Sequence, residues 1–349
     1  MIDKNFCLSS YIAFRYIYRD DVDFFSAMHH ENFHLPTEKE KTYVKTAEDI
    51  DIAIKMVMTQ VYNKCTNVGI LLSGGMDSAI LAAYMKPGSH AYTFASKDVD
   101  IYDADIKRAE MYCEKYRLHH HMVDISFEDY KEYAPIVMKH KAAPVHSIEP
   151  QIYKAAMQAK EDGVEIMIIG DGADYVFGGM DKLLSQDWEF DAFVKRYITL
   201  DPELVLTKPV DMTDIFEPYR MEDDKIDFVN FLKGPTTIES YGSYKNAFDS
   251  AEMPYCDPYE KLEMKEPLEL ERIRAGESKY LIRELYSMKY PDLEIPAKIP
   301  MPRPVDLIFA EWEGPQRSEF RKEIPMSKLT GNQKWQLWCA ELFLNLYDV

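Results

Sequence analysis

Two apolar runs in this chain stop abruptly at glycine turns, and that repeated feature limits the fold more than any other. Residues 68–72 end at Ser73-Gly74-Gly75-Met76-Asp77-Ser78, and residues 165–169 end at Gly170-Asp171-Gly172. A short apolar run cut off by glycine reads as a buried strand feeding a tight turn. Helical and extended patterns alternate around both. Helix is expected over 50–65, 78–85, 105–117 and 151–161, and strand over 68–72, 91–94, 120–123 and 165–169. Pro87-Gly88 and Gly163 close two of the helices. Strands alternating with helices predict an α/β fold, a parallel sheet with helices on both faces. Ligands of such sheets bind outside the carboxyl ends of the strands, where both glycine turns fall. Residues up to about 49 read as irregular. The expected division is a linker-like segment over 1–48 and one domain over 49–349. Beyond about residue 181 strand signals fade. The remainder is helical in pattern, broken by prolines such as Pro202, Pro209, Pro218 and Pro235.

The first turn carries the clearest chemistry. Gly74 and Gly75 let the backbone pass close to a ligand. Ser73 and Ser78 add hydroxyl donors, and the helix that follows presents free N–H groups. These features suit a phosphate. A Walker loop is excluded, because the Gly-Lys-Ser/Thr ending is missing.

The string Ser73-Gly74-Gly75-Met76-Asp77-Ser78 resembles the signature of the N-type ATP pyrophosphatases, or PP-loop enzymes. Within that group the chain looks like the synthetase domain of the asparagine synthetases, without their N-terminal glutaminase domain. Ile169-Gly170-Asp171-Gly172-Ala173-Asp174-Tyr175-Val176-Phe177-Gly178-Gly179 is similar to the family's Gly-Glu-Gly-Ser/Ala-Asp-Glu-x-Phe-Gly-Gly segment. Pro254-Tyr255-Cys256-Asp257 resembles its Pro-Phe-Leu-Asp, and Ser278-Lys279-Tyr280-Leu281-Ile282-Arg283 its Lys-x-x-Leu-Arg helix. Leu8-Ser9-Ser10-Tyr11-Ile12-Ala13-Phe14-Arg15 looks like the linker that enters the domain. The likeness is specific at the first two motifs and looser after Gly179.

The resemblance implies a reaction. A substrate carboxylate attacks the α-phosphate of ATP, giving an acyl-adenylate and pyrophosphate, and ammonia or an amine then displaces AMP. Leu71, Ser73, Gly74, Gly75, Asp77, Ser78 and Gly170 would bind the nucleotide, and Asp77 and Asp174 would hold Mg²⁺. Hard Mg²⁺ suits one or two carboxylates plus phosphate oxygens. Asp171 stands where the family has a glutamate that deprotonates the incoming nitrogen, and a carboxylate suits a general base. Lys298, in Pro296-Ala297-Lys298-Ile299-Pro300, matches the family's catalytic lysine. Lys279 is second choice, because its place in a helix suggests a structural role.

Some positions depart from the pattern. Tyr175 replaces a usual glutamate, Met180 a tyrosine, and Glu252 an arginine, so the resemblance does not name the carboxylate. The alternative reading is an intramolecular cyclase of the β-lactam or macrolactam type. β-Lactam synthetases carry tyrosine where this chain has Asp171, which favours two separate substrates. A sulfur-transferase reading lacks paired cysteines, because Cys7, Cys65, Cys113, Cys256 and Cys339 are scattered. A degenerate nucleotide-binding module is opposed by the intact Asp77, Asp171 and Asp174. His119-His120-His121 is read as structural, and Trp335, Trp338, Leu342 and Leu346 as core at helical spacing.

Composition sets the partners. A net charge of −19 repels a phosphate backbone, so nucleic acid is not expected. The cysteine usage suggests a reducing cytoplasm, and neither a secretion signal nor a membrane-spanning run is apparent. The first cysteine is Cys7, and too few residues precede Ser73 to form an amidohydrolase. Nitrogen is therefore expected as free ammonia, as a substrate amine, or from a separate glutaminase subunit.

Overall fold

The computed structural model describes residues 1–96, 103–297 and 303–348. Seven strands are present among them: β1 (Thr42–Val44), β2 (Val68–Leu71), β3 (His90–Ala95), β4 (His119–Asp124), β5 (Ile166–Ile168), β6 (Tyr255–Cys256) and β7 (Leu262–Met264). Five form one wholly parallel sheet in the order β4-β3-β2-β5-β6. The chain runs outward from β2 to β4, then returns to the other side of β2 with β5. The order thus reverses between β2 and β5, and open α/β sheets open a crevice at the carboxyl ends of such a pair. The α/β expectation holds, with the glycine turns at the ends of these two strands.

Burial explains the strand sequences. All four residues of β2 are buried, and five of six in β3, as expected where helices cover both faces. Gly69 in β2 is closely packed: a Cβ there would lie 2.4 Å from Met167 Sδ in β5, so that side chain would have to move. The helices before and between the inner strands are α1 (Lys4–Phe14), α2 (Ala47–Lys64), α3 (Met76–Ala82), α4 (Asp103–Tyr116), α5 (Phe127–Lys141), α6 (Glu149–Glu161) and α7 (Gly172–Val176). Capping boxes start α2 (Thr46 with Asp49) and α5 (Ser126 with Asp129). No helix of the described residues is long and apolar enough to cross a membrane.

Three expectations need correction. The N-terminal stretch is not irregular: α1 is capped by Asp3, whose carboxylate accepts the Phe6 N–H at 2.9 Å, and every residue from Phe6 to Phe14 is buried. A helix buried on all sides has no amphipathic period to reveal it. The C-terminal half is not free of strands, because β6 joins the main sheet and β7 pairs with β1, Thr42 opposite Leu262. Strands of two and three residues carry no periodic signal. The stripe on the Gly331–Tyr347 helix is only partly core. Trp335 is buried and donates to the Val145 carbonyl at 3.0 Å, whereas Leu346 is exposed.

A charge cluster ties the two ends of the chain together. Lys4 Nζ lies 2.9 Å from Glu319 and 3.0 Å from Asp348, and Arg317 lies 3.0 Å from Glu319 and 2.5 Å from Asp348. The hydrogen bond from Arg317 pulls the Glu319 carboxyl down to about 2, against the opposing effect of burial. A carboxyl depressed on folding adds stability that is complete above its unfolded pKa, near 4.5, and lost as pH falls towards 2. The melting temperature of the wild type should therefore fall across that window by more than that of Glu319→Gln. Equal slopes in calorimetric scans would show that the cluster contributes nothing.

Candidate active site

The loop after β2 is held by its own side chains. Leu72 N–H donates to the Tyr92 carbonyl at 2.9 Å, and Thr93 Oγ1 donates to the Leu72 carbonyl at 2.7 Å, which fixes the loop's departure from the sheet. The Ser73 and Ser78 hydroxyls lie 3.0 Å apart, and Ser78 Oγ accepts from Ser73 N–H at 3.2 Å. Gly74 takes φ +75°, and a Cβ there would stand 2.1 Å from the Asp105 carbonyl oxygen. Only glycine fits that corner. Arg108 Nε donates to the Gly74 carbonyl at 3.0 Å. Asp77 follows as the second residue of α3.

The turn after β5 is fixed from β6. The buried Asp257 carboxylate accepts from Gly172 N–H at 2.7 Å and from Tyr259 N–H at 2.9 Å. Burial pushes the Asp257 carboxyl well up; the two N–H donors oppose this, and the nearby Asp171 adds to it. Tyr259 in turn donates its hydroxyl to the Asp77 carbonyl at 3.1 Å, so one short segment holds both turns. Asp171, ahead of α7, accepts from Ser240 Oγ at 2.6 Å. Asp174 lies one turn further on. The Gly178-Gly179 corner folds back on it so closely that a Cβ at Gly179 would meet Asp174 Oδ1 at 2.1 Å.

Lys279 completes the site. Its ammonium lies 2.6 Å from Asp77 Oδ2 and 2.8 Å from Asp174 Oδ1. Burial lowers its pKa, but the Asp77 and Asp174 carboxylates outweigh that and hold it above its usual value. The expectation that Lys279 sits inside a helix is corrected. It caps the Tyr280–Lys289 helix in a left-handed conformation, φ +54°, which turns its side chain towards the carboxylates.

These groups face one cavity of about 320 Å³. Leu71, Ser73, Gly75, Asp77, Ser78, Gly170, Asp171 and Asp174 all line it, and Gly74 shapes the loop corner beside them. The sequence reading missed Tyr244, which also lines it, and Ser240, which bonds to Asp171, and it gave no site role to Arg283, a lining residue it had matched only as part of a motif. Lys298 lies outside the described residues, although Pro296 and Ala297 just before it line the cavity. Chemically, the cavity joins a hydroxyl- and glycine-rich loop to three carboxylates and a buried cation. Tyr175 packs edge-on against Tyr241, and both border a neighbouring cavity of about 550 Å³.

The family profile described as asparagine synthase matches residues 53–237, a little over half of the 349-residue chain. A Methanocaldococcus jannaschii protein provisionally named asparagine synthetase (glutamine-hydrolyzing) 1 is 29% identical over 148 residues. That match covers 40% of this chain and only 26% of the relative. Among solved structures, an NMN synthetase from Francisella tularensis is similar over 74% of this chain and 100% of its own, at 14% identity and a TM-score of 0.29. A tRNA thiolase from Methanococcus maripaludis, with its [4Fe-4S] cluster, is similar over 78% and 89%, at 15% identity and a TM-score of 0.27.

Proposed function

This chain belongs to the asparagine synthase family, and from that premise we propose that it uses ATP to form an amide, releasing AMP and pyrophosphate. The observation that carries the proposal is the meeting of the Ser73–Ser78 loop with Asp171, Asp174 and Lys279 in one cavity at the strand-order reversal. Ser73, Gly74, Gly75 and Ser78 would hold the β- and γ-phosphates as the leaving group. A substrate carboxylate oxygen attacks the α-phosphorus, and the bond from that phosphorus to the β-phosphate bridging oxygen breaks. The nitrogen nucleophile then attacks the acyl carbon, the bond to AMP breaks, and the nitrogen gives up a proton. Asp171 would accept it, a role supported by its hydrogen bond from the Ser240 hydroxyl, which orients the carboxylate.

Asp77 and Asp174 suit a hard divalent cation held beside Lys279, since both carboxylates meet at one end of the cavity and phosphate oxygens would complete the shell. Mg²⁺ bound there would neutralise charge on the departing pyrophosphate. Lys279 shares those carboxylates and brings positive charge to the same end of the cavity. For Lys298 we propose stabilisation of charge in the adenylation and amidation transition states. The nitrogen would come from ammonia or a substrate amine, either free or delivered by a separate glutaminase subunit.

Chromatography of the spent nucleotide tests the bond choice. AMP and pyrophosphate are the expected products, with pyrophosphate exchange into ATP appearing only when the right member of a panel of carboxylates is added. ADP and phosphate as main products in the presence of that carboxylate would overturn the reading.

A further inference from the structure

The His119-His120-His121 run acquires a second role once the chain is folded. His121, on β4, stacks on His90, the first residue of β3, with ring centroids 5.0 Å apart and planes 16° from parallel. Its Nε2 lies 2.9 Å from His90 Nδ1. On the other side of the ring, Nδ1 lies 3.5 Å from Oδ2 of Asp162, the residue that caps the end of α6. Tyr92 stacks on His121 at 4.8 Å and donates its hydroxyl to the same Asp162 oxygen at 2.8 Å. One ligand atom from each of His90, His121 and Asp162 falls within 4.8 Å of the others. His120 is not part of this group, because its Nε2 pairs with Thr93 Oγ1 at 2.8 Å.

We propose that His90 and His121, with Asp162 orienting His121, bind a transition-series divalent cation such as Zn²⁺, Ni²⁺ or Cu²⁺ at the amino-terminal edge of the sheet. Three observations carry this. The spacing is that of a chelate: two imidazole nitrogens, each about 2.0–2.1 Å from one ion, stand about 3 Å apart. The tautomer is set in advance. Asp162 beside Nδ1 of His121 favours the proton on that nitrogen and leaves the Nε2 lone pair directed at His90, the carboxylate–histidine–metal arrangement. The donors are also selective, because imidazoles prefer Zn²⁺, Cu²⁺ and Ni²⁺, whereas Mg²⁺ takes oxygen. The site is half open, so water can complete the coordination shell. Binding replaces the single proton between the two rings, which moves to Nε2 of His90 as that ring changes tautomer. The site is separate from the Asp77 and Asp174 pair. Among the described residues Tyr92 borders both, lining the nucleotide cavity and donating its hydroxyl to Asp162.

The test uses the full chain, stripped with a chelator and titrated with Zn²⁺ alone by calorimetry at pH 7.5, and with Cu²⁺ by electron paramagnetic resonance. One equivalent should bind, and the Cu²⁺ spectrum should show two coordinated nitrogens. His90→Gln and His121→Gln should each weaken binding by roughly 100-fold, and Asp162→Asn by roughly 10–100-fold. His29→Gln and His34→Gln, which change exposed histidines outside the cluster, should leave it unchanged. Circular dichroism keeps loss of fold distinct from loss of ligand. Wild type binding Zn²⁺ no more tightly than the folded His90→Gln/His121→Gln double variant would overturn the proposal and leave a proton-bridged imidazole pair.

Discussion

Asp77→Asn is expected to lower turnover by roughly 10²-fold or more while the protein stays folded, and Asp174→Asn is expected to do the same. Each change is nearly isosteric, so packing is kept while one negative charge is lost. The two carboxylates meet around Lys279 Nζ, at 2.6 and 2.8 Å, so a metal ion bridging them would sit beside that ammonium. A cation bridging them would lose half of its protein ligands in either variant. Preorganised charge stabilisers removed one at a time typically cost about 10²–10³ in turnover. Steady-state rates measured over a Mg²⁺ titration check this. If either variant keeps a near-normal rate at saturating Mg²⁺, that residue is not a metal ligand.

The second large effect separates two lysines. Lys279→Ala leaves Asp77 and Asp174, each about a quarter exposed (23% and 25%), facing each other without their shared cation. Breaking a fully buried ion pair by removing one partner costs about 3–5 kcal/mol, and water reaching these part-exposed carboxylates lowers that figure. The variant should therefore melt well below the wild type, and Mg²⁺ should restore part of the loss, because an ion between the carboxylates supplies the missing charge. Lys298→Ala should behave differently. Its melting temperature should stay near that of wild type, while turnover falls more than ATP affinity, as expected for a charge used mainly in the transition state. Melting curves with and without Mg²⁺, set beside kcat and the ATP dissociation constant, distinguish the two. If Lys279→Ala is stable but inactive and Lys298→Ala is active, the two roles are exchanged.

The inner strands were legible because β2, β3 and β5 are apolar, β2 and β5 each end at a glycine turn, and helical periods lie between them. The same glycines located the loop and the Asp171 turn. Two kinds of information were not local. The αL backbone of Lys279 is unusual for a residue other than glycine, so a helical period absorbed it. The helix α1 has apolar or small residues on every face, and nothing in its pattern distinguishes a buried helix from a connecting segment. Asp257 lay in a motif resembling the family's, yet the carboxylate's hold on Gly172 and Tyr259 could be seen only once β6 had joined the sheet.

That hold has a consequence for how the protein comes to exist. The Gly172–Asp257 bond closes a separation of 85 residues, and the Tyr259–Asp77 bond one of 182. Contacts so distant along the chain are made only after much entropy has been surrendered elsewhere, and they characterise slow, late events in assembly. The strands that carry the two turns leave the ribosome first, and the clasp that aligns them follows 85 residues after Gly172. A nascent chain could thus display every signature residue of the loop and still lack a nucleotide pocket. ATP, which can stabilise only what it binds, would act on the finished molecule and give little help to the growing one.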